Sequence, residues 1–280
     1  MARSETCERR LLLYLRRIMR KYLSLLFIIC LLFISCATSP RQQQELDVAA
    51  YVPESFEWED VCPGVARYDF ENRDVPLIYH AVRIDLSCVE LVSARGVNAG
   101  EFAAREQPVV LINATPFDKS GKLVGIHREG GAQLSEAVTR YAAIAFRGGE
   151  GDKSGELAKI FVSQSAPELV EFPFAFGGFF TVVEGADVRR DFIVRPDSRT
   201  GAGLSADGRT LFLLVVEGEH PHQSRGLSYP ECGEVFRAMG CHDALEFDGG
   251  GSAELCINGK SVLSYKVRRV HGNCFGFKLR

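Results

Sequence analysis

The sequence predicts an α+β domain with a mixed, largely antiparallel β-sheet core and a few flanking helices. Three observations carry that expectation. Short apolar runs bounded by turn residues recur along the chain, and two are closed by the hairpin dipeptides Asp207-Gly208 and Asn258-Gly259. Helical periodicity is confined to two short stretches. The 280 residues are 46% hydrophobic and 25% charged, an ordinary globular composition with enough apolar mass for a full core.

The first 56 residues stand apart. Arg16, Arg17, Arg20 and Lys21 precede the apolar run Tyr22 to Ile34, which is short for a membrane span but suits a signal-peptide core. Ser35-Cys36-Ala37 and the polar TSPRQQQE follow, and together they resemble a bacterial lipobox. Residues 1–35 therefore read as a lipoprotein-type signal peptide, 36–56 as a polar tether lipidated at Cys36, and 57–280 as the functional domain. Met19 is a second candidate start, and an uncleaved anchor is the alternative to processing. Both readings place the domain outside the cytoplasm, in a bacterial cell envelope. The leader holds seven of the 33 Lys/Arg and two of the 36 Asp/Glu, so the remaining chain has 26 and 34, a net charge of −8. No basic stripe remains, which argues against a nucleic-acid partner.

Six cysteines remain beyond Cys36: Cys62, Cys88, Cys232, Cys241, Cys256 and Cys274. Export permits disulfides, but six cysteines allow 15 connectivities. Cys232 lies within a predicted helix and Cys241 just past its end, too far apart to bridge. No spacing suits zinc, and buried free thiols are the expectation.

In chain order, Trp58 to Phe70 predicts a first strand region and Pro76 to Ala94 two strands. In HAVRIDL, Ala81, Arg83 and Asp85 share one face, and Val82, Ile84 and Leu86 the other. Ala99 to Arg105 predicts a short helix, and Val109 to Ile112 an apolar strand running into a polar turn. Strands are expected at Tyr141–Phe146, Lys159–Val162 and Phe174–Val183. The last is interrupted by Gly177-Gly178, read as a bulge or ligand-facing backbone. Thr200–Ser205 and Thr210–Val216 form a hairpin over Asp207-Gly208. The clearest helix has Ser228 as N-cap, Glu231 completing a capping box, and Cys232, Val235, Phe236 and Met239 on one apolar stripe, with Gly240 as the stop. It delivers the chain to a half-buried strand ending in DGGGS, residues 248–252. Tyr265–Val270 and Phe275–Leu279 read as closing strands.

Carboxylates at strand ends are the chemistry to weigh. Asp248 and Glu246 sit two apart on one strand, Glu217 ends another, and Asp118 follows the Asn113 turn. Paired acids are what glycosidic hydrolysis requires, one to protonate the leaving oxygen and one to activate water or attack carbon. Arg199 could clamp a phosphate. The backbone of Gly249, Gly250, Gly251 and Ser252 could approach a ligand closely or cradle an anion. Glu219, His220 and His222 make a loop cluster without a third histidine, and His127 and His271 read as structural or rim residues. No cofactor is expected, with a divalent cation the one addition left open. Nucleophile-elbow, P-loop and dinucleotide fingerprints do not occur.

The order of motifs is itself informative. INATPFDKSGKLVG, FGGFFTVVEGADV and SRTGAGLSADGRTLFLLVVEGEH, followed by the capped helix and DALEFDGGGSAELCINGK, together resemble the phosphodiester glycosidase family from about Pro76 to the C-terminus. The resemblance implies an exported hydrolase that removes a sugar from a sugar-1-phosphate diester. Asp248 would be the acid/base or nucleophile, Glu217 its partner and Arg199 the phosphate clamp. Asn113, Thr200, Gly249, Gly250, Gly251, Ser252 and Glu246 would line the substrate site. Partners would be the glycan substrate and, through lipid, a membrane. The chain departs from the family pattern at Ala114-Thr115-Pro116, at Glu217 for Asp, at Glu219 for Arg and at Glu246 for Asn. A non-catalytic envelope lipoprotein that binds anionic glycans in the same cleft is the alternative these departures motivate.

Overall fold

The computed structural model describes residues 47–148, 155–191 and 195–280. The leader and Cys36 lie outside them. In order, the elements are β1 (Glu59–Cys62), β2 (Val65–Asn72), β3 (Leu77–Asp85), β4 (Val89–Val97), α1 (Ala99–Glu106), β5 (Val110–Asn113), β6 (His127–Glu129), β7 (Ala132–Ser135), β8 (Ala143–Phe146) and β9 (Ala158–Phe161). The chain continues through β10 (Phe174–Gly177), β11 (Thr181–Glu184), β12 (Asp187–Val188), β13 (Arg199–Leu204), β14 (Thr210–Val216), α2 (Tyr229–Ala238), β15 (Asp243–Glu246), β16 (Leu255–Ile257), β17 (Lys260–Ser261) and β18 (His271–Leu279).

The strands form three sheets, ordered β1-β2-β3-β14-β13-β15-β11-β12, β7-β6-β10-β8-β9 and β17-β16-β5-β18-β4. The described pairings are antiparallel, as hairpin-rich sequence favours. The inner faces of all three sheets meet in one core. Val82, Ile84, Leu213, Val215 and Leu245 come from the large sheet, with Phe247 just beyond β15, Ile144 and Phe176 from the second, and Ile112, Leu255 and Phe275 from the third. Burial of such side chains is worth roughly 1.5–3 kcal/mol each before the entropy of ordering them is charged.

Helix α2 covers the other face of the large sheet. Its capping box is formed: the Ser228 hydroxyl accepts from Glu231 N–H, and the Glu231 carboxylate accepts from Ser228 N–H at 2.7 Å. Cys232, Val235 and Phe236 are fully buried beneath it. For that reason β15 is not half-buried as its alternation predicts. Ala244, Leu245, Glu246 and Phe247 are all buried, between the core on one side and the helix on the other.

Four further expectations change. Trp58–Phe70 is two strands joined at Pro63-Gly64. Phe174–Val183 is not one bulged strand. Its glycine pair is where the chain leaves one sheet for another, with Phe179 N–H donating to Glu246 C=O at 2.7 Å. Tyr265–Val270 forms no strand. Residues 47–56, read as the end of the tether, lie against the domain. Tyr51 is buried, and its carbonyl accepts from the Tyr79 hydroxyl at 3.1 Å. The six cysteines are free, four of them buried, as expected.

Candidate active site

The apolar rows of the core end in polar residues at one edge of the large sheet. On β2, β3 and β14 the core-facing rows that carry Val65, Val82 and Val215 continue into Asp69, His80 and Glu217. On β13 the row of Leu204 and Ala202 continues into Thr200 and Ser198. Across the core, Asn113 closes β5. The polar edge therefore follows from period-two alternation: the same face that packs the core presents these groups where the sheets part.

Asn113 joins the pieces. Its side-chain N–H donates to Asp248 C=O at 2.7 Å. Its Oδ1 accepts from the Thr200 hydroxyl at 3.2 Å and from Glu254 N–H at 2.9 Å. Both Asn113 and Thr200 are fully buried, so they build the site rather than face a ligand. Beyond β15 the chain is led along this edge by Phe247 N–H to Thr200 C=O, Asp248 N–H to Ala114 C=O and Gly250 N–H to Ser198 C=O. A Cβ on Gly249 would lie 2.6 Å from Ser198 O, so only glycine permits this approach. The close contact is with the protein's own backbone. Gly250 and Ser252 form a 3-10 turn, and Gly251 is exposed, with the Glu219 carboxylate 3.8 Å from where its Cβ would be.

Asp248 is half-buried. Burial raises its pKa, opposed by a hydrogen bond from the Ser252 hydroxyl and by the positive charge of Arg269. Arg269 Nη1 donates to Ser252 Oγ at 2.8 Å, which leaves the serine proton for Asp248. Glu217 is held differently. Its Oε1 accepts from Ser264 N–H at 2.8 Å and contacts His80 Nε2 at 3.1 Å, and its Oε2 accepts from the Ser264 hydroxyl. Burial alone would raise its pKa, but these donors outweigh it and hold the carboxyl below its ordinary value. The Glu217-Gly218 turn packs on Asp197 and Ser198, the same backbone that Gly249 abuts from the other side. Tyr265 borders this point, with its hydroxyl 3.5 Å from Ser198 Oγ and its ring edge-on to exposed His220 at 5.5 Å. Burial, together with the charges of Glu217, Glu219 and Glu254, pushes its phenol up to about 12.

Two predicted site residues face elsewhere. Arg199 is not an open clamp. Its Nε donates to Leu227 C=O at 2.9 Å, its Nη2 to Arg195 C=O at 2.5 Å, and its guanidinium stacks on Tyr229 at 4.5 Å. Alternation turns it, with Glu246, to the helix face of the sheet. Glu246 is 1% exposed, and its carboxylate has no nitrogen or oxygen donor, only the weak thiol of Cys232 beside it. Burial drives its pKa to about 7 against the opposing effects of Arg199 and the Cys232 thiol. Asp118 caps its own turn, accepting from Ser120 and Lys122 N–H. His127 and His271 are core residues, each shifted by burial to about 4. Among the described residues, no group of three or more His, Cys, Asp or Glu side chains converges to hold a metal ion.

The sequence reading missed Asp69, His80, Glu254, Ser264, Tyr265 and Arg269. A polar His80 on the apolar face of HAVRIDL was the available signal for one of them. Arg269 and Tyr265 were hidden by the strand assigned to their segment.

Residues 106–278 match the phosphodiester glycosidase family. The fold resembles the catalytic domain of zebrafish N-acetylglucosamine-1-phosphodiester alpha-N-acetylglucosaminidase, with a TM-score of 0.60 at 17% identity over 79% of this chain and 86% of that one. It also resembles a hypothetical protein from Synechocystis, with a TM-score of 0.64 at 13% identity over 81% and 64%. These likenesses concern the fold. An SPbeta prophage-derived uncharacterized protein of Bacillus subtilis, YomE, is 26% identical over 179 residues; that stretch is 58% of this chain and 26% of the relative's length.

Proposed function

Because the chain belongs to the phosphodiester glycosidase family, we propose that it is an exported, Cys36-anchored hydrolase that removes a sugar from a sugar-1-phosphate diester. The observation that carries this reading is two carboxyls pushed in opposite directions, one after β14 and one after β15, strands that flank β13 on either side. Glu217 is held ionised by His80 and Ser264, and Asp248 is raised by burial. Environments that separate two acids in this way divide their roles. Asp248 manages the proton, taking it from the attacking water. Glu217, buried and with both oxygens engaged, remains an anion behind the site, and its field favours the positive charge that develops at the anomeric carbon. Water oxygen bonds to that carbon, the carbon–oxygen bond to phosphate breaks, and its electron pair leaves with the phosphate. The exposed Arg269, rather than Arg199, is the cation placed to receive that charge.

The test is turnover by the full-length chain in detergent on a panel of sugar-1-phosphodiesters and plain glycosides, following sugar and phosphomonoester release. Asp248→Asn should keep the fold and lose turnover. Retained turnover would remove Asp248 from the mechanism.

A binding-only role in the same cleft is the second reading. Both Glu217 oxygens are already engaged, which favours a site that holds a glycan without cutting it. Calorimetric binding across the panel with no product would select it.

A further inference from the structure

We propose that Asp69 and His80 form a relay that orients Glu217 and fixes its charge, so that the His80 proton sets the alkaline limit of turnover. This deepens the preceding reading and rests on Glu217 serving there as the working anion.

Strand register brings the three side chains together. Asp69 on β2 is directly opposite His80 on β3, and His80 is opposite Val215 on β14, with Glu217 two residues on and on the same face. His80 Nδ1 lies 2.6 Å from Asp69 Oδ1, and its Nε2 lies 3.1 Å from Glu217 Oε1. Ionised carboxylate oxygens only accept hydrogen bonds, and a neutral imidazole has one N–H to give. Both contacts are hydrogen bonds at once when the ring carries both protons. The arrangement is then an imidazolium between two carboxylates.

The surroundings support that charge state. Burial works against a charged ring, but the two carboxylates outweigh it and raise the His80 pKa above its ordinary value. From β2, Arg67 approaches the far oxygen of Asp69 at 3.9 Å and is itself paired with exposed Glu59. From the segment after β17, Ser264 gives Glu217 its other donors, and Tyr265 lies close enough to sense the Glu217 charge. On the loop after β14, Glu219 adds negative charge at Tyr265. No second cation is described among these neighbours of Glu217, so its local counter-charge comes from His80. When His80 loses one proton, the shorter contact, to Asp69 at 2.6 Å, keeps the N–H on Nδ1, and a ring lone pair on Nε2 faces Glu217 Oε1. The carboxylate then loses a donor, and the pose set jointly by His80 and Ser264 is released.

His80 is thus a positioning residue, acting through Glu217 rather than on substrate. Two measurements on the full-length chain test it. In long-range nitrogen–proton spectra of the imidazoles, His80 should stay doubly protonated to higher pH in the folded chain than in the unfolded one. Its titration midpoint should fall by about one pH unit or more when Asp69→Asn or Glu217→Gln removes one charge. A folded midpoint at or below the unfolded one, or a midpoint unmoved by either substitution, overturns the relay. In the pH profile of kcat/KM on whichever diester is turned over, Asp69→Asn should draw the alkaline limb to lower pH. His80→Gln keeps a donor but cannot titrate, and should abolish that limb. Turnover with an unchanged limb in both variants overturns the relay and leaves the glycosidase reading standing. If no substrate is turned over, that reading fails by itself, and the imidazole spectra still decide the relay.

Discussion

Replacing Glu246 with glutamine should make the protein progressively more stable, relative to the natural chain, as pH rises from 5 to 8. The natural carboxyl is fully buried, with no nitrogen or oxygen donor and only the weak Cys232 thiol beside it. Burial carries its pKa from 4.5 to about 7. At about 1.4 kcal/mol per unit, ionising it inside the fold costs roughly 3 kcal/mol more than ionising it in the unfolded chain. The sign follows from the raised folded pKa. The unfolded chain gives up this proton from about pH 4.5, whereas the folded chain keeps it until about pH 7. The stability contributed by the neutral form is full below 4.5 and is lost by the time pH has passed 7. Glutamine does not titrate and has nearly the same shape. Its own buried amide adds a cost that does not vary with pH, so the slope decides and the offset does not. The assay is urea unfolding of both proteins at several pH values from 5 to 8. The stability difference should grow by roughly 2–3 kcal/mol in favour of glutamine across that range, which for a domain of this size is roughly 4–12 °C in melting temperature. Taking the difference cancels the contribution of any other group that titrates in the window. A difference that stays flat with pH would show that Glu246 ionises normally and would refute the reasoning.

Three further outcomes follow from the site. Asn113→Ala removes three buried hydrogen bonds and should cost about 2–4 kcal/mol in urea unfolding, with loss of turnover; a cost under 1 kcal/mol would mean that Asn113 does not join the strands as described. Gly249→Ala puts a methyl 2.6 Å from Ser198 O, so it should destabilise by about 1–3 kcal/mol and displace Asp248; full activity and unchanged unfolding would contradict the close approach. Arg269→Ala should reduce kcat/KM on sugar-1-phosphodiesters about 100-fold and on plain glycosides far less; equal losses would exclude a role at the phosphate.

What was legible in the sequence was local. Ser228 and Glu231 cap their own helix three residues apart, and Asn258-Gly259 turns its own hairpin with both residues at positive φ. DGGGS was legible as a corner, because Gly249 and Gly250 meet demands of close approach and positive φ that few other residues meet. What stayed hidden depends on partners distant in sequence. Glu217 and His80 are 137 residues apart, and no pattern around either residue announces the other. Arg199 looked like a free cation because its strand position is plain, but the carbonyls of Arg195 and Leu227 that engage it belong to irregular backbone. Glu246 and Asp248 looked like a pair because they are two apart. The strand ends between them, and the two acids finish in different surroundings, one under α2 and the other at the edge of the core.

The three bonds of the Asn113 side chain reach 87, 135 and 141 residues along the sequence. Contacts of that reach form only after long stretches of chain have been brought together, and they are slow for that reason. The site is therefore a late product of folding. During refolding, helix α2 and the hairpins should regain their spectroscopic signal before the Asn113 bonds close, and a nascent chain that ends before residue 254 lacks the Glu254 N–H that completes them.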